Sequence, residues 1–485
     1  MKSVLVRLLI ALCLIHSFSV GAVDVGNLKY DLNDSDLTAT VSGLVGGSAS
    51  VSGSLDIPEY VEYNGKKYLV TTIGDGAFNG CNHLSGSLTI PNSVTSIGND
   101  AFSGCSGLSG SLTIPNSVTN IGNNAFSGCS YFTGSLTIPN SVTNIGDNAF
   151  YRCSRLSGSL TIGNSVITIG KEAFYGCSGF SGNLNLSESV TIIGDGAFDG
   201  CNHLSGNLII PNSVITIGVR AFYGCTGFTG SLSIGNSVTT IGIGGFGGCS
   251  GFTGSLTIPE SVITIGSSAF SGCTGFTGSL TIPESVTTIG SSAFSGCSGF
   301  TGSLVIPESV TIIGGSAFYG CTGFTGSLII PGTVTTIGDF AFGFCTGLTG
   351  GLTLPNSVIT IGKAAFYGCT GFTGNLTISN SAVTIGTEAF YGCTGFTGSL
   401  TIPNSVTEIG AYAFCGCNGF TGTLVMGKSL LTVAGNAFYG CDGLTLLKSL
   451  NPVPPEMIRS NDGVFDLGIS FNLPLFVPDE SVGKD

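Results

Sequence analysis

The chain repeats one sequence unit over most of its length. Cysteine recurs at sixteen positions, each the twenty-fourth after the one before, from Cys81 to Cys441, and phenylalanine keeps the same period from Phe78 to Phe438. No insertion or deletion interrupts the register between these cysteines. A fixed period of this length is typical of stacked repeats, which bury their apolar side chains against their neighbours. The 485 residues therefore do not predict about three ordinary globular domains.

A single repeat shows how the period translates into one coil. Residues 273–296 read CTGFTGSLTIPESVTTIGSSAFSG. Leu280 and Ile282 alternate with polar neighbours, as in a half-buried strand, and the following proline ends that strand because it lacks a backbone donor. Val286 and Ile289 supply a second apolar pair before a glycine turn. With alanine, phenylalanine and cysteine, each coil has an inner ring of about seven apolar side chains.

Equivalent residues of successive coils are expected to stack in buried columns, a column being a set of residues 24 positions apart. Two central columns serve as structural markers: Cys273, Cys297 and Cys321, and Phe270, Phe294 and Phe318. The thiol column predicts neither metal nor disulfides. Tetrahedral metal sites need short ligand spacings, and stacked Cβ atoms lie near the strand spacing of about 4.8 Å, beyond the roughly 3.8 Å of a disulfide. We expect buried free thiols, with a strained redox pair at Cys415 and Cys417 as the alternative.

Both ends of the chain depart from the period. Residues 1–22 have a basic start, an apolar stretch and a small-residue end at Ala22, which predicts a signal peptide. Residues 23–80 are interpreted as an N-terminal cap with a variant first repeat, in which Asn64-Gly65 predicts a hairpin. The solenoid covers residues 81–441, and the proline-containing residues 442–485 are interpreted as a C-terminal cap.

The charge of the chain excludes several classes of partner. Only 8 % of the residues are charged, and the formal net charge is −13. Cleavage after Ala22 would remove Lys2 and Arg7 and no acidic residue, changing the net charge to −15. An acidic surface repels phosphate backbones and anionic headgroups, and beyond the leader no apolar run reaches the ~18 residues of a membrane span. We therefore expect neither nucleic-acid binding nor direct membrane insertion.

The repeat resembles a known family. The unit SLTIPxSVTxIGxxAFxGC is similar to the BspA-like class of leucine-rich repeats, found in surface proteins of gut and oral bacteria and of some parasitic protists. The resemblance covers Leu55 to Cys441, and YNGKKYLVTTIG at residues 63–74 is similar to the opening repeat of the family. It implies a β-rich solenoid, a leucine-rich repeat right-handed superhelix of about sixteen 24-residue coils with short strands and turns, capped at both ends. Family members are associated with adhesion to host matrix proteins and with coaggregation.

Some coils depart from the family pattern. The corner proline is replaced at five positions, and we expect local bending there: Gly163, Ser187, Gly235, Ser379 and Gly427.

No catalytic constellation can be assembled, so the chain is predicted not to be an enzyme and to need no cofactor. The leader holds one of the three histidines, and His83 and His203 are five coils apart, too far to share a metal. A surface role in a loop is expected for both. The corner after the proline carries a short acidic column, which either binds calcium loosely or forms a solvated stripe: Glu260, Glu284 and Glu308.

The polar side of the first strand is the candidate ligand-binding surface. Serine and threonine recur there in two predicted columns of hydroxyls, and apolar residues replace hydroxyls in some coils. We call this surface the strand face, and its candidate binding residues are Ser255, Thr257, Ser279, Thr281, Ser303, Val305, Ser327 and Ile329. Affinity is expected to come from many weak, repeated contacts.

These features predict a secreted or cell-surface adhesion module. Its partners would be protein or glycan ligands, such as host extracellular matrix or other cells, bound through the strand face. An inert structural spacer or surface-coat element is the main alternative, because the exposed hydroxyl columns are monotonous. Ice binding is a further alternative, since regular threonine arrays can order water. The sequence does not predict an oligomeric state.

Overall fold

A computed structural model describes residues 19–453, 455–457, 464 and 475–476 of the chain. The chain divides into two compact units, residues 1–203 and 204–485, and each unit is a stack of β coils. No helix occurs in the part of the chain that is described. The predicted β-rich solenoid of 24-residue leucine-rich repeat coils is confirmed. The predicted signal peptide falls mostly outside the described residues, because only its last four positions are included.

The segment predicted to form the N-terminal cap contains strands that precede the regular coils. Antiparallel pairing joins β1 to β2, β2 to β3 and β5 to β6, and parallel pairing joins β3 to β6. The β5–β6 turn has Asn64 at φ 50° and Gly65 at φ 75°, which confirms the predicted Asn-Gly hairpin. The strands are β1 Ser19–Val25, β2 Leu28–Asn33, β3 Thr38–Leu44, β4 Gly53–Asp56, β5 Tyr60–Tyr63 and β6 Lys66–Ile73.

Each regular coil has a second strand, usually Thr-Ile, that the sequence did not predict. Within each unit these second strands form an unbroken parallel ladder in which equivalent residues of successive coils pair, as for Ile265, Ile289 and Ile313. In the first unit they are β8 Ser96–Ile97, β10 Asn120–Ile121, β13 Asn144–Ile145, β15 Thr168–Ile169 and β16 Ile192–Ile193. In the second unit they are β18 Thr216–Ile217, β20 Thr240–Ile241, β22 Thr264–Ile265, β24 Thr288–Ile289, β26 Ile312–Ile313, β28 Thr336–Ile337, β30 Thr360–Ile361, β32 Thr384–Ile385, β34 Glu408–Ile409, β36 Thr432–Val433 and β38 Glu456–Met457.

The predicted first strands exist but pair mostly in twos. In the first unit they are β7 Leu84–Thr89, β9 Gly110–Ser111, β11 Phe132–Thr133, β12 Leu136–Thr137 and β14 Leu160–Thr161. In the second unit they are β17 Leu208–Ile209, β19 Leu232–Ser233, β21 Leu256–Thr257, β23 Leu280–Thr281, β25 Leu304–Val305, β27 Leu328–Ile329, β29 Gly350–Thr353, β31 Phe372–Thr377, β33 Gly398–Thr401, β35 Phe420–Met426, β37 Leu446–Ser449 and β39 Leu475–Phe476.

The paired first strands give this side of the second unit a two-coil repeat. β21 pairs with β23 and β25 with β27, whereas no ladder joins β23 to β25 among the described residues. From β33 onward the pairing becomes continuous through β35, β37 and β39. Equivalent residues still pair in register on this face, but the backbone ladder joins them only within each pair of coils. The backbone there alternates between two arrangements although the sequence period is a single coil.

The core of each coil is larger than the ring of side chains predicted from sequence. In the repeat of residues 273–296, Phe276 and Pro283 are buried together with the predicted cysteine, leucine, isoleucine, valine, alanine and phenylalanine positions. The Phe276 column forms a second aromatic stack, with ring centroids 5.7 Å from Phe252 and 5.3 Å from Phe300. Two parallel stacks of rings therefore fill the interior of the coils in this region.

The backbone ladder continues beyond the last repeat cysteine. Val433 pairs with Met457 in the same register as the earlier coils, and β37 pairs in parallel with β35. Residues 442–453 and 455–457 thus add a further coil, although the sequence pattern is lost after Cys441. Pro454 of the predicted C-terminal cap lies outside the described residues.

Three of the corners without proline make an unusually close contact. A Cβ atom on Gly163, Gly235 or Gly427 would lie 2.2 to 2.3 Å from the carbonyl oxygen of the proline one coil earlier. Only glycine fits such a corner, because real Cβ atoms do not approach backbone so closely. The local bending expected at these positions stays a prediction.

Candidate binding surface

The buried columns form the frame that positions every exposed residue. Phe294 lies between Phe270 and Phe318 with ring centroids 5.5 and 5.4 Å apart, and all three rings are fully buried. The thiols of the predicted cysteine column donate to carbonyl oxygens of an earlier coil: Cys273 to Phe246 at 3.1 Å, Cys297 to Phe270 at 3.0 Å and Cys321 to Phe294 at 3.0 Å. Each thiol therefore satisfies a buried acceptor as well as filling space.

The described cysteines confirm the prediction of buried free thiols. All seventeen of them are buried, and none forms a disulfide. Cys415 and Cys417 are both free, so this structure shows no redox pair at that point. Burial raises the pKa of Cys297 and Cys345 to about 12, because the thiolate would lose its hydration. These thiols lack the exposure and low pKa of reactive cysteines.

All eight predicted strand-face residues are exposed, and the frame brings them to one side of four consecutive coils. They are Ser255, Thr257, Ser279, Thr281, Ser303, Val305, Ser327 and Ile329. Val305 and Ile329 are directly opposed in the β25–β27 pair, and each is 51 % exposed. Their backbones pair through a hydrogen bond from Ile306 N–H to the Ile329 carbonyl, 3.2 Å long. Two apolar side chains thus lie together on an otherwise hydroxyl-rich surface.

The serine hydroxyls of this face are not all free to bind a ligand. Ser255 Oγ accepts a hydrogen bond from the Ser279 backbone N–H at 3.1 Å, which links the two coils of a pair. A Cβ on Gly278 would lie 2.2 Å from the same oxygen, whereas Gly254 has a φ of 79° and no such neighbour. The Ser279 hydroxyl in turn donates to Ser255 Oγ at 3.5 Å, so the hydroxyls of this coil pair bond each other as well as the backbone.

A shallow cleft opens between two coil pairs on the same face. It has a volume of about 350 Å³ and lies between β31 and β33, which do not pair with each other in the described ladders. The residues lining it are Asn375, Leu376, Thr377, Ile378, Asn380, Ser399, Thr401 and Pro403. The cleft is a consequence of the two-coil alternation, so sequence reasoning based on the one-coil period missed it.

A second exposed surface runs along the second strands and was also missed. From β8 to β36, the residue before the second strand is exposed or partly exposed, and it is threonine in most coils and a larger apolar residue in the others. Ile215, Ile263 and Ile359 are each at least half exposed there. The signal in the sequence was an isoleucine directly preceding a polar strand residue, which departs from simple alternation.

Four exposed aromatic residues lie on the turn after the second strand: Tyr223, Phe344, Tyr412 and Tyr439. We call this turn the turn edge and define it as residues 291–296 and their equivalents. In the second unit Phe344 contacts Tyr319 at 5.5 Å and Tyr367 at 5.1 Å between ring centroids. Phe340 and Phe344 have φ angles of 55° and 57°. Left-handed backbone is uncommon for bulky residues. Other coils mostly carry small or polar residues at these positions. The phenylalanines could therefore have been recognised in the sequence as exceptions to the repeat.

The sequence comparison decides the family. A profile described as a BspA type leucine rich repeat region, with six copies, matches residues 71–205, 205–325, 250–373 and 324–445. The chain belongs to the BspA-type leucine-rich repeat family. No curated protein sequence matches it.

Solved structures to which the chain is similar include several bacterial leucine-rich repeat proteins. One from Bacteroides ovatus is 27 % identical, with a TM-score of 0.53, over 88 % of this chain and 94 % of its own. A leucine rich cell surface protein from Faecalibacterium prausnitzii is 24 % identical, with a TM-score of 0.38, over 89 % of this chain and 96 % of its own. A pneumococcal vaccine antigen is 16 % identical, with a TM-score of 0.32, over 95 % of this chain and 94 % of its own.

The surface of this leucine-rich repeat protein presents the exposed hydroxyl, apolar and aromatic side chains described above. In the described residues no group of three or more histidine, cysteine or acidic side chains is placed to hold a metal ion. Nothing helical in that part of the chain is long and apolar enough to cross a bilayer. His83 and His203 are exposed loop residues, as expected. Glu260, Glu284 and Glu308 are exposed at their corners.

Proposed function

We propose that the protein is a secreted or cell-surface adhesion module that binds protein or glycan ligands through its strand face. The recognition centre is the exposed pair of Val305 and Ile329, flanked by the hydroxyls of Ser303 and Ser327. One observation carries this proposal: two apolar side chains, each about half exposed, are opposed on a face where most other coils place hydroxyls. Exposed apolar groups that are rimmed by polar ones are typical of interaction sites.

The electrostatic setting of the pair suits an uncharged contact. Its strand neighbours are serine and threonine, and the nearest acidic column, from Glu260 to Glu308, lies at the corner beyond the prolines. A ligand would therefore desolvate apolar groups and hydroxyls without burying an unpaired charge. The repetition along the face supplies further weak contacts in register.

Export is the second part of the proposal. We infer that the chain is cleaved after Ala22, since the small-residue end of the apolar leader is suited to signal peptidase. Val23 to Val25 would remain paired with residues 28–30 after cleavage. The intact mass of the exported chain tests this inference, and a chain that keeps residues 1–22 would contradict it.

The binding test replaces the two exposed apolar residues of the strand face with threonine. The double variant Val305→Thr, Ile329→Thr introduces the residue that two earlier coils carry at the equivalent positions, Thr257 and Thr281. We therefore expect the fold to be preserved. We expect the double variant to lose at least tenfold in affinity for any matrix protein, mucin or bacterial cell that binds the unaltered protein. A control variant, Ile263→Thr, makes the same kind of change on the second-strand surface and should bind normally.

Three outcomes would overturn the proposal. Binding by the unaltered protein to none of these surfaces would favour the inert spacer, because a spacer needs no ligand. An equal loss of affinity in the Ile263→Thr control would place recognition on the second-strand surface instead. Thermal hysteresis in the unaltered protein would favour ice binding.

A further inference from the structure

Basic residues are rare in this chain and are concentrated in one place. Between Lys67 and Lys363 the sequence contains four of them, and three lie between residues 152 and 171: Arg152, Arg155 and Lys171. The whole chain has a formal net charge of −13. These basic residues are not part of the repeat pattern, and their charge is opposite to the net charge of the chain.

Tyrosine rings hold the two arginines in place. The Arg155 guanidinium lies 4.0 Å from the ring centroid of Tyr131, a side chain that is 47 % exposed. The Arg152 guanidinium lies 5.2 Å from the ring of Tyr151, which stacks on Tyr175 at 5.0 Å. A ring engages the flat face of a guanidinium, so the N–H groups at its edge remain available to a ligand.

Neither guanidinium is neutralised by the protein. Both arginines are exposed, and no side-chain hydrogen bond or ion pair involves them within the described residues. Lys171 differs, because its Nζ lies 3.9 Å from the carboxylate of Glu172. Arg152 and Arg155 thus offer two positive charges, with Cα atoms no more than about 11 Å apart.

The backbone at Arg152 is strained for an arginine. Its φ is 55°, and it lies in a column that is otherwise glycine in the first unit, as at Gly128 and Gly176 with φ of 73° and 67°. Left-handed backbone disfavours a side chain with a Cβ. An exposed residue that retains such strain and makes no stabilising ion pair suggests a role in recognition.

We propose that Tyr131, Tyr151, Arg152, Arg155 and Tyr175 form a site for an acidic polysaccharide, a chain of sugar rings bearing carboxylate or sulfate groups. Guanidinium edges bind carboxylate and sulfate oxygens in a bidentate manner. The tyrosine rings supply flat apolar surfaces for the C–H faces of the sugars. A long nucleic acid would extend its phosphate charge over the acidic remainder of the chain, whereas a short acidic oligosaccharide need contact only this site.

The test measures binding of the full chain to size-defined heparin and oligogalacturonate fragments, with neutral dextran as the reference. Arg152→Gly and Arg155→Gly introduce the residue that equivalent coils carry at Gly176 and Gly179. Each should weaken binding to both acidic fragments about tenfold, as expected for a lost charge-assisted bidentate contact. The double variant should not bind measurably. The melting temperature of Arg152→Gly should equal or exceed that of the unaltered protein.

The matched control is Arg220→Ser. It removes one positive charge outside the site and introduces the residue found at Ser268 and Ser292, so its affinity should be unchanged. No binding of acidic fragments by the unaltered protein, or an equal loss of affinity in this control, would overturn the proposal. Preferential binding of polyglutamate or of single-stranded DNA would also reject a polysaccharide ligand. The Val305→Thr, Ile329→Thr double variant should bind the acidic fragments normally. Failure of this proposal can therefore be distinguished from failure of the proposed strand-face function.

Discussion

At the scale of single residues, the repeat fixes residue type most strictly where neighbouring coils touch. The cysteine column combines small volume with a thiol donor, as in Cys297, which bonds the Phe270 carbonyl. Serine could donate the same bond but would bring a more polar group into the core. The sequence allowed the buried thiols to be predicted from their spacing. It did not reveal the bond from sulfur to carbonyl oxygen, because the acceptor lies in a different coil, more than one full repeat earlier in the chain.

Glycine at the corners without proline gives a prediction for single substitutions. Gly235→Ala would place a Cβ 2.2 Å from the Pro211 carbonyl oxygen. We expect the free energy of unfolding to fall by about 2 kcal/mol or more, since the coils must move apart. Gly332→Ala is the matched control, because no atom lies within 4 Å of its Cβ position. Urea unfolding checks both, and equal midpoints for the two variants would contradict the close contact.

Buried thiols predict a loss of stability at alkaline pH. Burial raises the pKa of Cys177, Cys297 and Cys345 from 9.0 to about 12. Between these values the unfolded state releases a proton that the folded state retains, so stability present below pH 9 declines as pH rises toward 12. The decline is about 1.4 kcal/mol per pH unit for each thiol that unfolding exposes. Urea midpoints at pH 8 and pH 10.5 measure it.

The alkaline effect has its own control. Cys297→Ala removes one titrating group, so the difference between the two midpoints should become smaller in this variant. A midpoint that does not change with pH in the unaltered protein would show that the thiols are not buried as described.

At the scale of strands and turns, the two strands of a coil behave differently. The second strands pair without interruption within each unit, whereas β21 and β23 form an isolated pair. The first strand was predictable because Leu280 and Ile282 alternate with polar residues. The second was not, because Thr288-Ile289 is too short to show a period. The two-coil alternation has no signature at all in a sequence whose period is one coil.

The alternation predicts how the array tolerates shortening. Deleting residues 249–296 removes both β21 and β23 and leaves the remaining pairs intact, whereas deleting residues 273–296 leaves β21 without its partner. We expect both shortened proteins to fold, because each keeps the register of the coils. For each coil removed, the two-coil deletion should lower the urea midpoint less than the one-coil deletion does.

A deletion of half a coil, residues 285–296, is the contrasting case. It breaks the register of every later column, so we expect loss of cooperative unfolding, seen by circular dichroism. Equal tolerance of the half-coil and whole-coil deletions would contradict a repeat architecture.

At the scale of the whole molecule, a regular frame carries a few irregular surface positions. The sequence predicted the repeat and its family, because columns of cysteine and phenylalanine remain in register over sixteen coils. It also placed Val305 and Ile329 on one face. The arginine and aromatic groups on the turns were missed, since their contacts join residues of different coils. The exposed apolar Ile263 was missed because a single residue does not change the period.

The most direct test of the account is quantitative thiol labelling of the chain beginning at Val23, in native buffer and in denaturant. The account predicts that the repeat cysteines from Cys81 to Cys441 resist labelling together in the native protein. All seventeen thiols should react in denaturant without a reducing agent, because none is in a disulfide. Rapid labelling of many thiols in the native protein, or thiols that react only after reduction, would contradict the stacked interior on which the proposed surfaces depend.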